Sequence, residues 1–458
     1  QDEHAQHGIL GDNVRPESFA SRLAASGWIL WHYIGADAFP LAPSIIHPRW
    51  DVDPTSALAW IPLVAWIVML GGLASRSARW GRGPVAAALC WTLLLAPVLG
   101  FVSISYMKYS LVADHWQYLA TIVSMTCAAW VVWRVCEAMR PVGERWAMPA
   151  LGGLLGVVFM GLTARQAAVY AHSESLWRAA VARNPSAWVA WHNLGQTLDL
   201  DGRADEAERC YEACLRLNPK MALANVNMGV IRRRQGRLDE AIASYETALE
   251  SLPNNVAAHY DLAIALQARG QLEAAVAHLE KALDIEPERV EARANLAALL
   301  IMTGRPAEAE RQARRALEAR PQDPLLMVDL GLALERLGRL DEALAQYERA
   351  AQLRPDLAPV AVRIAWIRAT APSDALRDGL RARTLAIAAC AATPQDPDAL
   401  DALAAAEAEC GHFAAAVTAA KRAAALTSGE RKAAIEQRMH LYDGLLPYRT
   451  PALPSADR

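Results

Sequence analysis

Hydrophobic and polar positions along the chain follow two different patterns. In the first part the apolar positions are continuous: residues 56–75, 83–107, 117–133 and 146–164 contain no Asp, Glu, Lys, Arg or His. Each run approaches the ~20 residues that a helix needs to cross about 30 Å of hydrocarbon, and each predicts a membrane span. A fifth run, residues 23–46, holds His32 and Asp37. A charge at mid-bilayer costs roughly 2.5 to 3.5 kcal/mol, so this span is expected to keep Asp37 near one end. The alternative, a buried hairpin in a soluble core, needs several helices that are apolar all round.

From Trp188 the pattern becomes amphipathic and repeats every 34 residues, the period of the paired helices of tetratricopeptide repeats. A small residue recurs in the first helix at Gly195, Gly229, Ala263, Ala297 and Gly331. A turn glycine follows at Gly202, Gly236, Gly270, Gly304 and Gly338, where the first helix ends and φ > 0 is expected. The second helix carries Ala207, Ala241, Ala275, Ala309 and Ala343, then Tyr211, Tyr245, Leu279, Ala313 and Tyr347. Proline closes each unit at Pro219, Pro253, Pro287, Pro321 and Pro355, because it has no N–H to continue a helix. A sixth unit is degenerate, with a longer turn around Pro372, and a seventh returns at Leu403, Gly411, Ala416 and Ala423.

These patterns give an all-α fold: a transmembrane helix bundle followed by a tetratricopeptide α-solenoid. The expected divisions are a cytoplasmic segment at 1–22, about five spans over 23–164, a connecting helix at 165–187 and about seven repeats over 188–428. A capping helix at 429–446 and a disordered tail at 447–458 complete the chain. Composition sharpens the split, since eleven of the fifteen Trp precede residue 150. A net charge of -3 with no basic cluster argues against a nucleic-acid partner. Positive charge gathers at Arg76, Arg79 and Arg82 and again at Arg134, Arg140 and Arg145, which places those loops in the cytoplasm. The repeats then fall on the outer side. The expectation is an integral protein of a bacterial inner membrane with a periplasmic solenoid and with membrane lipid as one partner.

A solenoid presents its first helices to a concave face that takes ligands. One column there reads Asn193, Asn227, Asp261, Asn295 and Asp329 before breaking to Arg363. Stacked amides and carboxylates of this kind can hydrogen-bond the backbone of an extended protein or peptide. They can also bond to the neighbouring repeat. The column resembles the asparagine ladder in the repeats of O-GlcNAc transferase. The chain has no phosphate-cradling, zinc or nucleophile-elbow motif, and no metal site or cofactor within it is expected. Its seven cysteines form no framework and are read as unpaired.

One outward loop carries Lys108, Asp114, His115, Gln117 and Tyr118 among aromatics. Such a set can bind a lipid phosphate, move a proton or line the membrane interface. The run Ala113-Asp114-His115-Trp116-Gln117-Tyr118 resembles the A-(D/E)-(R/H)-x-x-Y signature of the transmembrane and tetratricopeptide repeat-containing, O-mannosyltransferase-like family of C-type glycosyltransferases and its bacterial relatives. Trp31 to Ile34 with Pro40-Leu41, and Glu174 to Trp177 with Asn184-Pro185, Trp191 and Asn193-Leu194-Gly195, resemble two further segments of that family. Ala120 stands where the family often has Pro.

The resemblance implies a membrane-embedded glycosyltransferase that passes sugar from a polyprenyl-phosphate donor to a protein acceptor held by the solenoid. In that reading the five loop residues contact the lipid phosphate or the sugar. The family's acidic catalytic loop lies upstream of anything in this chain, so no catalytic residue is named and Gln1 reads as an internal start. The alternative is a non-enzymatic membrane-anchored tetratricopeptide scaffold for envelope assembly or secretion.

Overall fold

The computed structural model describes residues 18–38, 52–96, 99, 120–127, 130–131 and 147–451. Every regular element among them is helical. The chain divides into two compact units: Gln1–Gln235 with Glu250–Leu252, and Gly236–Leu249 with Pro253–Arg458.

The first unit opens with α1 (Phe19–Ala38), α2 (Ala57–Ser75), the short α3 (Ser77–Trp80) and α4 (Gly83–Leu95). Residues 120–127 and 130–131 are also helical. Helices α1 and α2 touch backbone to backbone, since a Cβ on Gly27 would lie 2.3 Å from the Leu63 nitrogen. Two indoles of α1 donate to carbonyls beside the helix-breaking Pro62: Trp28 Nε1 to Ala59 at 3.2 Å and Trp31 Nε1 to Pro62 at 2.9 Å. Among the described residues, α2 is the one helix long and apolar enough to cross a membrane. Its Leu58, Ile61, Val64, Ile67 and Val68 all face outward, a surface that water would penalise. Asp37, in the last turn of α1, accepts hydrogen bonds from Thr121 Oγ1 (2.8 Å) and Ser124 Oγ.

Helix α5 (Ala147–Tyr170) leads after two residues into α6 (Ser173–Arg183), which packs on α7 (Trp188–Leu200). Helix α6 takes the place of a repeat's second helix. Its Glu174 and Arg178 form a crossed ionic square with Arg203 and Glu206, at 2.8 Å and 3.0 Å. Four repeat lengths later Glu310, Arg314, Arg339 and Glu342 form the same square, at 2.8 Å and 3.3 Å. Each exposed pair adds little stability, but their recurrence gives the register. The segment expected to connect the two regions therefore already carries repeat packing. The first unit continues through α8 (Ala204–Leu217) and α9 (Ala222–Arg234).

The second unit alternates first and second helices. They run from α10 (Leu238–Ser251) and α11 (Val256–Ala268) through α12 (Leu272–Ile285), α13 (Val290–Met302), α14 (Pro306–Ala319), α15 (Pro324–Arg336) and α16 (Leu340–Leu353). Then come α17 (Ala358–Thr370), α18 (Gly379–Ala392), α19 (Pro397–Glu409), α20 (Phe413–Ala425) and α21 (Gly429–Asp443). The turn glycines Gly202, Gly236, Gly270, Gly304 and Gly338, with Gly411, all adopt φ between 76° and 82°, where a side chain is strained.

The small-residue column has a partner column. Where the second helix carries Tyr, the first carries Gly: a Cβ at Gly195 would lie 2.8 Å from Tyr211 Cε1, and at Gly331 2.5 Å from Tyr347 Cε1. Where it carries Leu279 or Ala313, the first helix carries Ala263 or Ala297. Gly with Tyr and Ala with Leu trade volume across the helix pair, whereas Ala297 with Ala313 does not.

A second repeated device seals the closing prolines. The carbonyl of Pro185 accepts from Trp191 Nε1 (2.8 Å), that of Pro219 from Asn225 Nδ2 (3.0 Å), that of Pro253 from His259 Nε2 (3.0 Å) and that of Pro287 from Arg293. The tail, expected to be disordered from residue 447, is instead held through Thr450, for a reason given below.

Candidate functional site

The five ladder residues all lie half-buried on first helices. In the first unit, His192 bridges two of them: its Nδ1 lies 3.2 Å from Asn193 Oδ1 and its Nε2 lies 3.4 Å from Asn227 Nδ2. One tautomer satisfies both contacts, with Nδ1–H donating to Asn193 and Nε2 accepting from Asn227. Burial lowers the His192 pKa and keeps the ring neutral, although the Asn193 bond opposes this. Asn227 Nδ2 also donates to Tyr211 Oη at 3.2 Å.

In the second unit, Asn295 Nδ2 donates to Tyr260 Oη at 3.0 Å, one repeat earlier. The Arg289 guanidinium lies 4.9 Å above that Tyr260 ring. Asp329 is different. Burial, with the Asp323 carboxylate nearby, pushes its pKa up to about 7, and no described cation or donor offsets the shift. Beyond it the column reverses sign at Arg363, which donates to Glu335 (3.2 Å), and Glu335 accepts the Tyr347 hydroxyl (2.8 Å).

Of the two uses weighed for this column, Asn227 and Asn295 thus each spend an amide donor on a neighbouring repeat. Asn295 keeps its carbonyl oxygen and a second N–H, and Asp329 its carboxyl, on this face of the second unit. Tyr260, His192 and the seals on the proline carbonyls were not singled out from sequence. The signal for the seals was their fixed spacing from the proline, six residues for Trp191, Asn225, His259 and Arg293.

Lys108, Asp114, His115, Gln117 and Tyr118 lie outside the described residues, as does Cys136. The other six cysteines are free thiols. Burial pushes the Cys214 thiol up to about 12. No group of three potential metal ligands occurs among the described residues.

In the first unit a cavity of about 930 Å³ opens between α1, α2, α4 and residues 123–127 and 130–131, lined by Ile34, Trp66, Met69, Trp91, Val123 and Trp130. The Trp66 and Trp91 rings stack tilted at 5.5 Å, and their buried indole N–H groups meet no acceptor among the described residues.

Tetratricopeptide-repeat profiles match residues 188–221, 220–288, 266–327 and 303–358. No curated protein sequence matches the chain. Several solved structures are similar. The crystal structure of YrrB, a TPR protein with an unusual peptide-binding site, is 22% identical over 40% of this chain and 95% of its own, with a TM-score of 0.38. A tetratricopeptide repeat protein from Parabacteroides merdae is 19% identical over 57% and 100%, with a TM-score of 0.42. Pseudomonas aeruginosa pilF is 20% identical over 48% and 96%, with a TM-score of 0.40. The repeated columns, the left-handed turn glycines and the profile matches converge on one assignment: residues 188–358 are an array of tetratricopeptide repeats.

Proposed function

We propose that this chain is a scaffold whose solenoid holds an extended segment of a partner protein along its first helices. The observation that carries this reading is Asp329, a half-buried carboxyl with a pKa pushed up to about 7 and no cation beside it among the described residues. A titratable group so strongly perturbed in a groove is a candidate for a binding site. In this reading the Asn295 oxygen accepts from backbone N–H groups of the ligand, and the Asp329 carboxylate faces a Lys or Arg. Selection from a random peptide library on the full chain in detergent tests the reading. Sequences enriched in Lys or Arg are expected, and Asp329→Asn should abolish the enrichment; acidic or unenriched output refutes it.

The apolar outer face of α2, the hydroxyl-bound Asp37 and the Trp-lined cavity support a membrane anchor for this scaffold. In that arrangement Arg76, Arg79 and Arg82 face the cytoplasm and the repeats the opposite side. Cysteine labelling from each side of sealed vesicles checks it: labelling of a cysteine placed at Arg79 from the cytoplasmic side only is expected. Sugar transfer finds no support in the geometry or in the comparisons, and the scaffold alternative accounts for both better.

A further inference from the structure

Residues 444–450, after α21, do not leave the solenoid. Leu445 reverses the chain in the left-handed region (φ 58°), and residues 447–450 then run back against first helices α17 and α19. The Tyr448 ring faces Trp366 with centroids 6.0 Å apart. The Arg438 guanidinium lies 5.2 Å from the Trp366 ring and 5.5 Å from the Tyr448 ring. Arg449 pairs with Glu409 at 2.6 Å. The Thr450 backbone N–H donates to the Thr370 carbonyl at 2.8 Å, and the two threonine hydroxyls meet at 2.9 Å.

These are the contacts of a bound peptide: a main-chain hydrogen bond that any sequence can make, an aromatic slot and a carboxylate for a cation. The receiving groups have supports of their own. Arg438 is held by Asp401 at 2.5 Å and Glu409 by Arg377 at 3.1 Å, so neither depends on the tail for its position. Nor is the tail fixed by a buried hinge, because Leu445 is 65% and Leu446 57% exposed.

We propose that the inner face of α17, α19 and α21 is a second peptide site. It takes an extended segment in which an aromatic residue is followed by a cationic one, and residues 447–450 occupy it in cis as a competing pseudo-ligand. The inference goes beyond the groove around Asn295 and Asp329 and does not depend on it. A short tether gives the tail an effective concentration in the millimolar range, so a partner in trans binds only when the tail is displaced.

The test is fluorescence anisotropy with a labelled peptide of sequence Leu-Leu-Pro-Tyr-Arg-Thr-Pro-Ala on the full chain in detergent. The double variant Tyr448→Ala, Arg449→Ala should bind it at least about tenfold more tightly than the wild type, because it removes the competitor described above. A peptide with Ala at the Tyr and Arg positions should not bind, and Asp329→Asn should leave binding unchanged. Equal affinity for wild type and variant, or no binding to a variant with native circular dichroism, overturns the proposal. A second readout uses the wild type alone. Excess peptide should release the tail and speed tryptic cleavage after Arg449, and an unchanged cleavage rate also overturns it.

Discussion

A methyl group on Gly331 would lie 2.5 Å from Cε1 of Tyr347, a fully buried ring whose hydroxyl donates to Glu335 at 2.8 Å. The two positions therefore set each other's size. Gly331→Ala overpacks the pair and is expected to cost about 1 to 3 kcal/mol, despite the better helix propensity of Ala. Adding Tyr347→Leu makes the unit resemble that of Ala263 and Leu279, and should recover most of the loss. Chemical denaturation of the four proteins of this double-mutant cycle measures the coupling, and additive effects would refute the pairing.

His259 and His278 face each other with Nδ1 atoms 3.0 Å apart, and His259 Nε2–H is committed to Pro253. With both rings neutral, His278 therefore supplies the shared proton, and the contact is lost once both rings are charged. Burial, with His259 and Lys281 beside it, pushes the His278 pKa down to about 4. The unfolded chain then binds the extra proton between about pH 6.5 and pH 4. The stability from this group is complete above pH 6.5 and is lost as pH falls through 4. For a partly exposed ring the loss is on the order of 2 kcal/mol. Urea midpoints at pH 7.5 and 4.5 should converge in His278→Gln relative to wild type.

Asp329 has the opposite sign. Its folded pKa of about 7 lies above the ordinary value of 3.8, so the folded state binds the extra proton. Stability from the neutral form is complete below 3.8 and is lost as pH rises through 7. Asp329→Asn should therefore stabilise the chain at pH 8 by roughly 2 kcal/mol and change little at pH 3.5. Equal effects at both pH values would place the carboxyl in water.

Arg293 seals the Pro287 carbonyl and donates to Gln312 Oε1 at 3.1 Å. One repeat later the pair is Met327 and Gln346, and the buried Gln346 Oε1 has no partner. Arg293→Met should cost about 1 to 3 kcal/mol by orphaning two acceptors. Gln346→Leu should be neutral or stabilising, because it removes an acceptor already unpaired. Thermal melts of both variants rank the two sites.

The repeats were legible because each column does one physical job: glycine at a positive φ, proline at a stop, small against large. The direction of the asparagine bonds was not, since sequence places Asn227 and Asn295 in the groove but not their rotamers. Helix α6 gave a readable signal, Glu174 and Arg178 recurring at Glu310 and Arg314, that a search starting at Trp188 does not use. The docked tail was hidden for a different reason. Three prolines in 447–458 suggest disorder, and its partners Trp366, Arg438 and Glu409 share no repeat spacing.

The central claim is that Asp329 faces a cationic partner in the groove. It is tested most directly by titrating a labelled, unstructured Gly-Ser-Lys peptide into the full chain at about pH 8 and about pH 6. Only the ionised carboxylate holds the lysine, so with a pKa of about 7 the wild type should bind about tenfold more weakly at the lower pH. Asp329→Asn should bind weakly and without pH dependence. Equal wild-type affinity at the two pH values, or wild-type binding by the variant, would contradict the account.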